Sequence, residues 1–291
     1  MQRYFDLVTF SHTLFALPFA LLGFTLAVAQ PTYAFEWLDL ALVIACMVTA
    51  RSAAMAFNRL VDAPIDAANP RTAGREIPAG RVSRTSATVF VFVNAAVFVL
   101  CAGLLNPLCL ALSPVALAVV LGYSYTKRFT WLCHVVLGVG LALAPIGAYL
   151  AVAGAFATLP VLYGVVVLTW VAGFDVIYAL QDRDFDRAHG LRSIPGRFGV
   201  RDGLRIARAL HVICSALLVA CTLHLTSDGA QPLLAWGAAG AFAFALVYQH
   251  VQVRGGDLTR IDRAFFTANG YASLAYAALA VASLRLGGGW V

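Results

Sequence analysis

Residues 159–186 read Leu159-Pro-Val-Leu-Tyr-Gly-Val-Val-Val-Leu-Thr-Trp-Val-Ala-Gly-Phe-Asp175-Val-Ile-Tyr178-Ala-Leu-Gln181-Asp182-Arg-Asp184-Phe-Asp186. Positions 159–174 carry no charge, and carboxylates then recur at 175, 182, 184 and 186. About 20 apolar residues is the length at which a helix crosses the hydrocarbon core of a bilayer. A barrel strand would be half as long and would alternate apolar with polar. The stretch therefore reads as a membrane helix that ends in an acidic cap.

Eight more segments share this pattern, giving nine at roughly 10–30, 37–57, 86–105, 107–125, 132–155, 159–181, 205–225, 231–250 and 265–285. Of the 291 residues, 61% are hydrophobic and 12% charged, with mean hydropathy +0.83. A soluble domain carries about 25% charged residues. These values exclude a soluble globular enzyme, a disordered chain and a nucleic-acid-binding module. They predict an all-α polytopic protein, one domain over 1–291, with nine transmembrane helices in a single bundle. Pro18, Pro107, Pro114 and Pro145 lie in or beside spans, where neighbouring helices can satisfy the freed carbonyls.

The net charge of +6 is an orientation signal and not a nucleic-acid footprint. Arg3 precedes the first span. Arg59, Arg71, Arg75, Arg81 and Arg84 follow the second, and Lys127 and Arg128 the fourth. Arg183, Arg187, Arg192, Arg197, Arg201, Arg205 and Arg208 follow the sixth, and Arg254, Arg260 and Arg263 the eighth. Eighteen of the twenty basic residues thus fall on one side, with Arg51 and Arg285 the exceptions. The positive-inside rule places the N-terminus and the even-numbered connections in the cytoplasm.

The two longest of those connections match. One holds Asn58-Arg-Leu-Val-Asp62-Ala-Pro-Ile-Asp66, then Ile77-Pro78-Ala-Gly-Arg81. The other holds Asp182-Arg-Asp184-Phe-Asp186, then Ile194-Pro195-Gly-Arg197, with the aspartate pairs 120 residues apart. This is a weak internal repeat, and it predicts two facing, aspartate-rich cytoplasmic half-sites. Residues four apart on a helix point about 40° from each other. Asn58, Asp62 and Asp66 share a face if the helix persists past Pro64. Asp182 and Asp186 share another, with Asp175 two turns back.

One Asp-x-x-x-Asp alone reads as a solvated helix end, but two at matching span ends do not. Clustered carboxylates repel unless a cation neutralises them. All-oxygen donors suit a hard ion such as Mg²⁺, which is commonly held by one or two carboxylates plus substrate phosphates. No His or Cys joins them at zinc spacing. Arg71, Lys127, Arg128 and Arg192 supply donors for phosphate oxygens. The pattern reads as a diphosphate–Mg²⁺ site. Arg51 lies inside a span, where a charge is costly and functional by default.

Other polar residues read more plainly. Cys46, Cys101, Cys109, Cys133, Cys214 and Cys221 form no CxxC pair and read as small apolar packing residues. Asp184 reads as solvated or paired to Arg187, and His189 as incidental. His134, His211, His224 and His250 read as interfacial, and His12 is ambiguous. Asp6 and His12, with no small-residue cleavage site, make the first apolar stretch an uncleaved span.

Taken together, these motifs resemble the UbiA superfamily of intramembrane prenyltransferases over essentially the whole chain. Asn58-x-x-x-Asp62-x-x-x-Asp66 looks like its first aspartate-rich motif and Asp182-x-x-x-Asp186 like its second. Tyr123-x-x-x-Lys127, followed by Arg128-Phe129-Thr130, is similar to its tyrosine–lysine element. The resemblance implies that Asp62 and Asp66 bind one Mg²⁺ and Asp182 and Asp186 another, both bridging a polyprenyl diphosphate. It implies that Asn58, Arg71 and Lys127 contact the diphosphate. Tyr123 would stabilise the allylic cation or orient the chain. Arg51 would receive the carboxylate of an aromatic acceptor, and the prenyl tail would leave sideways into lipid.

Residues 10–19 and 51–58 look like a branch associated with futalosine-pathway menaquinone synthesis. The implied acceptor is 1,4-dihydroxy-6-naphthoate, with 4-hydroxybenzoate, the ubiquinone precursor, as the alternative. The implied location is the bacterial inner membrane. Competing expectations are the same fold with haem, a chlorophyllide or a lipid head group as acceptor, or a secondary transporter. A transporter would place its site near the midplane, commonly between inverted repeats. Here both motifs lie on one side and the repeat is parallel.

Overall fold

Inside a bilayer a backbone must satisfy its own hydrogen bonds, and this chain does so with helices. The computed structural model describes residues 16–254 and 268–287, with Leu7, Leu258 and Ile261. Long helices are α1 (Leu17–Val28), α2 (Trp37–Ala68), α3 (Arg84–Leu105), α4 (Pro107–Thr126), α5 (Cys133–Ala153) and α6 (Thr158–Tyr178). A 3₁₀ turn (Ala179–Asp182) links α6 to the short α7 (Arg183–Ala188). Then come α8 (Ile194–Ser227), α9 (Pro232–Gln252) and α10 (Asn269–Leu286). No strand occurs among the described residues.

Seven helices are long and apolar enough to cross a membrane: α2, α3, α4, α5, α6 continued through α7, α8 and α9. The protein is a multi-pass membrane protein. Over its described residues α1 has 12 residues, and α10 has 18. Both fall outside that set, so the expected nine spans compare with seven by length and composition. Residues 10–15 of the first expected span lie outside the described residues, as do Arg3, Asp6, His12, Arg260, Arg263 and residues 265–267 of the last.

Two helices run well beyond their apolar cores. α2 continues eleven residues past the expected end at 57, and α8 begins eleven before the expected start at 205. Hydropathy ends a span at the first charges, whereas a helix ends where its hydrogen bonding does. α8 bends at Gly199, whose φ of 80° is a conformation only glycine adopts freely.

α6 is the central helix. It packs on α5 and α8, and 67% of its apolar window, the largest share of any span, is buried. A helix buried all round needs no polar face, which is why residues 159–174 lack one. Around it Phe19, Tyr163, Trp170, Phe242 and Tyr276 interlock, with Trp170 and Phe242 centroids 5.3 Å apart. Gly23 lets α1 touch the backbone of α5 at Pro145, where a Cβ would collide.

Candidate functional site

The first motif sits on the charged end of α2. Helix α2 persists through Pro64, so Asn58, Asp62 and Asp66 do share a face. Asn58 Nδ2 donates to Asp62 Oδ2 at 2.8 Å. The second motif has a different backbone. The chain tightens into the 3₁₀ turn at Ala179–Asp182 and restarts as α7, which carries Asp186. This break takes Asp175 off the face it would share with Asp182 on one continuous helix. It points instead to His134, whose Nδ1 is 2.6 Å from Asp175 Oδ2.

The four motif carboxylates are each matched to a different base. Arg128 Nη2 reaches Asp62 Oδ1 at 2.9 Å, and Arg75 Nη1 reaches Asp66 Oδ1 at 2.6 Å. Arg71 grips Asp182 with two nitrogens, Nε at 2.9 Å and Nη2 at 2.5 Å. Lys127 Nζ lies 2.8 Å from Asp186 Oδ1. Asp66 and Asp186 are buried. Among the described residues no three acidic, His or Cys side chains converge as a ready metal cage. Four negative charges face four positive ones, so the cluster is self-neutralised.

These pairs stitch separate loops together. Arg71 and Asn69, from the α2–α3 connection, both hold Asp182 Oδ1 of the other half. Lys127 and Arg128, adjacent in the α4–α5 connection, serve Asp186 and Asp62 respectively. Arg192 donates from its backbone to Lys127 O at 2.7 Å and from its side chain to Phe129 O at 2.7 Å. Ser193 caps α8 and donates to Asp186 Oδ2 at 2.7 Å. Burial opposes the charge on Arg71, and hydrogen bonding to the Asp182 carboxylate more than offsets it, raising the pKa. Burial likewise opposes the charge on Lys127, and the Asp186 carboxylate outweighs it, raising its pKa too.

Beside this cluster lies a cavity of about 570 Å³ between α2, α3, α4, α5 and α6. Its polar end includes Arg51, Asn58, Arg59, Arg75, Tyr123, Asp175 and Tyr178, and the rest is apolar, with Leu105, Leu112, Val119 and Phe156 among its lining. Arg51 is half-buried, and its Nε has no hydrogen-bond partner among the described residues. Tyr123 stands within electrostatic reach of Arg51, Arg59, Asp62 and Asp175. All nine residues singled out in the sequence (Arg51, Asn58, Asp62, Asp66, Arg71, Tyr123, Lys127, Asp182 and Asp186) gather at this end of the bundle.

Several expectations need correction. His134 and His211, read as interfacial, are buried among protein side chains. His211 is paired to His250 at 3.0 Å. Asp184 is exposed, as the solvated reading has it, and its ion pair is with Arg183, not Arg187. Cys101, Cys133, Cys214 and Cys221 are buried, as packing residues should be, but Cys46 and Cys109 line the cavity. Sequence reading passed over Arg75 as a carboxylate partner, although it lies nine residues after Asp66. It also passed over the His134–Asp175 pair, whose members lie 41 residues apart on different helices.

Residues 16–270 match the model of the UbiA prenyltransferase family. The chain belongs to that family. Among its relatives is a 4-hydroxybenzoate octaprenyltransferase of Aliivibrio fischeri (strain MJ11), 30% identical over 253 residues, spanning 86% of this chain and 85% of the relative. Another of that name, from Alkalilimnicola ehrlichii, is 34% identical over 239 residues, spanning 82% and 79%. The apo structure of a UbiA homolog from Aeropyrum pernix K1 superposes with a TM-score of 0.82 at 35% identity, covering 92% of this chain and 96% of the other. A UbiA homolog from Archaeoglobus fulgidus, bound to DMAPP and Mg²⁺, shares the fold at TM-score 0.74 and 19% identity, covering 98% and 99%.

Proposed function

We propose that this protein transfers a polyprenyl group from polyprenyl diphosphate to a ring carbon of a hydroxylated aromatic carboxylic acid, releasing diphosphate. The observation that carries this reading is the joining of a self-neutralised carboxylate–base cluster to a largely apolar cavity. The cluster suits a diphosphate and its counter-ions, and the cavity suits the prenyl chain. Relatives named 4-hydroxybenzoate octaprenyltransferase support the same chemistry.

The donor set fits Mg²⁺. It is all oxygen, and Asp66 Oδ2 is buried without a hydrogen-bond partner among the described residues. Asp62 and Asp66 would hold one ion and Asp182 and Asp186 another; when bound, the metal supplies charge stabilisation to the leaving diphosphate. The A. fulgidus homolog bound to DMAPP and Mg²⁺ accords with this assignment. Asn58, Arg71 and Lys127 would bind the diphosphate oxygens, the two bases releasing their aspartates to do so. Arg71 would present two parallel donors.

Breaking the allylic C–O bond leaves a cation that water would trap, so the reacting end must be dry. The largely apolar lining of the cavity suits that requirement. Tyr123 would face the cation with its ring. Arg51, which lines the cavity and whose Nε is buried without a partner among the described residues, would orient the acceptor's carboxylate. An electron-rich ring carbon ortho to the hydroxyl then attacks.

We read α1 and α10 as completing nine spans. The N-terminus and both motifs would face the cytoplasm, and the protein would sit in the bacterial inner membrane. Residues 10–19 and 51–58 favour 1,4-dihydroxy-6-naphthoate as acceptor, whereas the named relatives favour 4-hydroxybenzoate. Purified protein in detergent, given Mg²⁺, a polyprenyl diphosphate and either acid, with products read by mass spectrometry, decides between them. No transfer to either acid by folded protein would overturn the aromatic reading.

A further inference from the structure

Among the described residues, the cavity wall contains one carboxylate, Asp175, against three arginines, Arg51, Arg59 and Arg75. The four motif aspartates are each matched to a cation. Asp175 is instead held by His134, and the ring's other nitrogen shows in what form. The backbone N–H of Ile194, in the first turn of α8, donates to His134 Nε2 at 3.3 Å. With Nε2 accepting from that N–H, Nδ1 is the nitrogen that donates to Asp175 Oδ2. Asp175 thus has one oxygen fixed by His134 and 23% of its side chain still exposed at the cavity. Tyr123, Asp175 and Arg51 all line this cavity, so carboxylate and guanidinium border the same space.

We propose that Asp175 is the base that takes the acceptor's ring proton, with His134 as its positioning residue; this rests on the aromatic-transfer reading above. The donor's C1–O bond breaks and its electron pair leaves on the diphosphate. A bond forms between C1 and the ring carbon ortho to the hydroxyl. The C–H bond at that carbon then breaks, its electron pair restores aromaticity, and the proton passes to Asp175 Oδ1. The motif aspartates, committed to metal and bases, are spared this task.

The test uses the full chain in detergent with geranyl diphosphate, Mg²⁺ and whichever acid the wild type accepts, both unlabelled and deuterated ortho to the hydroxyl. Asp175→Asn is expected to lower turnover about a hundredfold, in line with loss of a general base, while donor affinity measured by calorimetry stays within about threefold. His134→Ala is expected to lower turnover about tenfold and to raise the ring-deuterium isotope effect from near 1 to about 2 or more, because proton loss becomes rate-limiting. His134→Gln, which keeps an amide donor for Asp175, should recover most of that loss. A merely structural role would slow both isotopologues equally. Asp175→Asn turnover within threefold of wild type, or slowed His134→Ala with no change in isotope effect, would overturn the proposal. If Asp175→Asn fails to fold, the two His134 variants decide. Wild type inactive on both acids would instead remove the aromatic reading, and this inference with it.

Discussion

The two halves of the cluster share a spacing but not a backbone. Asp62 and Asp66 ride one unbroken helix of 32 residues, braced by Asn58 on that helix, by Arg75 from the connection that follows it and by Arg128 from the α4–α5 connection. Asp182 and Asp186 ride a break, a 3₁₀ turn and a six-residue helix, and their braces come from elsewhere in the chain: Arg71 and Asn69 from one connection, Lys127 from another. In the first half the helix itself sets the spacing of the two carboxylates, and loop bases neutralise them. The second is assembled by neighbours. A repeated sequence motif can thus be met by two backbones, one a continuous helix and one a break held in place by docked loops.

That contrast can be broken most directly at the carboxylates. Asp62→Ala and Asp182→Ala are each expected to cut turnover by about a thousandfold or more, since each removes a ligand of an ion that would stabilise the leaving diphosphate. They should differ in stability. Asp182→Ala frees Arg71 and Asn69 together and is expected to open the α2–α3 connection to limited proteolysis near residues 71–81. Asp62→Ala should leave the cleavage pattern unchanged. Wild-type turnover in purified Asp62→Ala would remove the metal assignment, and equal protease resistance would erase the difference between the halves.

A finer probe is Arg71→Lys. It keeps the charge but loses the two-nitrogen grip on Asp182, so about a tenfold fall in turnover is expected. Arg75→Lys, at a one-nitrogen contact within its own half, should cost less. Outside both halves, Arg51→Ala is expected to raise the acceptor's KM about tenfold with the donor's KM nearly unchanged. An effect confined to the donor would take Arg51 out of the acceptor site.

The smallest effect concerns pH. The folded pKa of Lys127 lies above its ordinary 10.5. Its pairing with Asp186 therefore contributes stability that is fully present below that value and lost as pH rises through the folded pKa. Thermal unfolding should hold a constant midpoint from pH 7 to about 10 on this account and decline above it. Lys127→Met should remove that alkaline decline.

Much of this architecture was legible in the residues. Spans show because about 20 uncharged residues have few other homes, and the bounds of α3, α4, α5 and α9 fall within two residues of those read from hydropathy. The stripe Asn58–Asp62–Asp66 was legible because helical periodicity reports which residues share a face. The 3₁₀ break after Tyr178 was not, since Ala179-Leu-Gln-Asp182 is as compatible with α-helix; packing and docked partners decide its form. For the same reason the pattern suggested Asp175 beside Asp182 and gave no sign of His134. Pairings across helices are set by tertiary approach, which periodicity does not carry.

The four-against-four pairing of the cluster makes it an ion exchanger. Empty, it stores its own counter-ions as side chains, so folding never leaves a bare patch of charge at the membrane surface. Under the proposed function, loading with metal and diphosphate swaps one set of ions for another of nearly equal net charge. Unloading runs the exchange backwards: as Arg71 returns to Asp182 and Lys127 to Asp186, each base that goes home is one fewer holding the diphosphate. The contacts that keep the resting protein closed are then the ones that drive the by-product out.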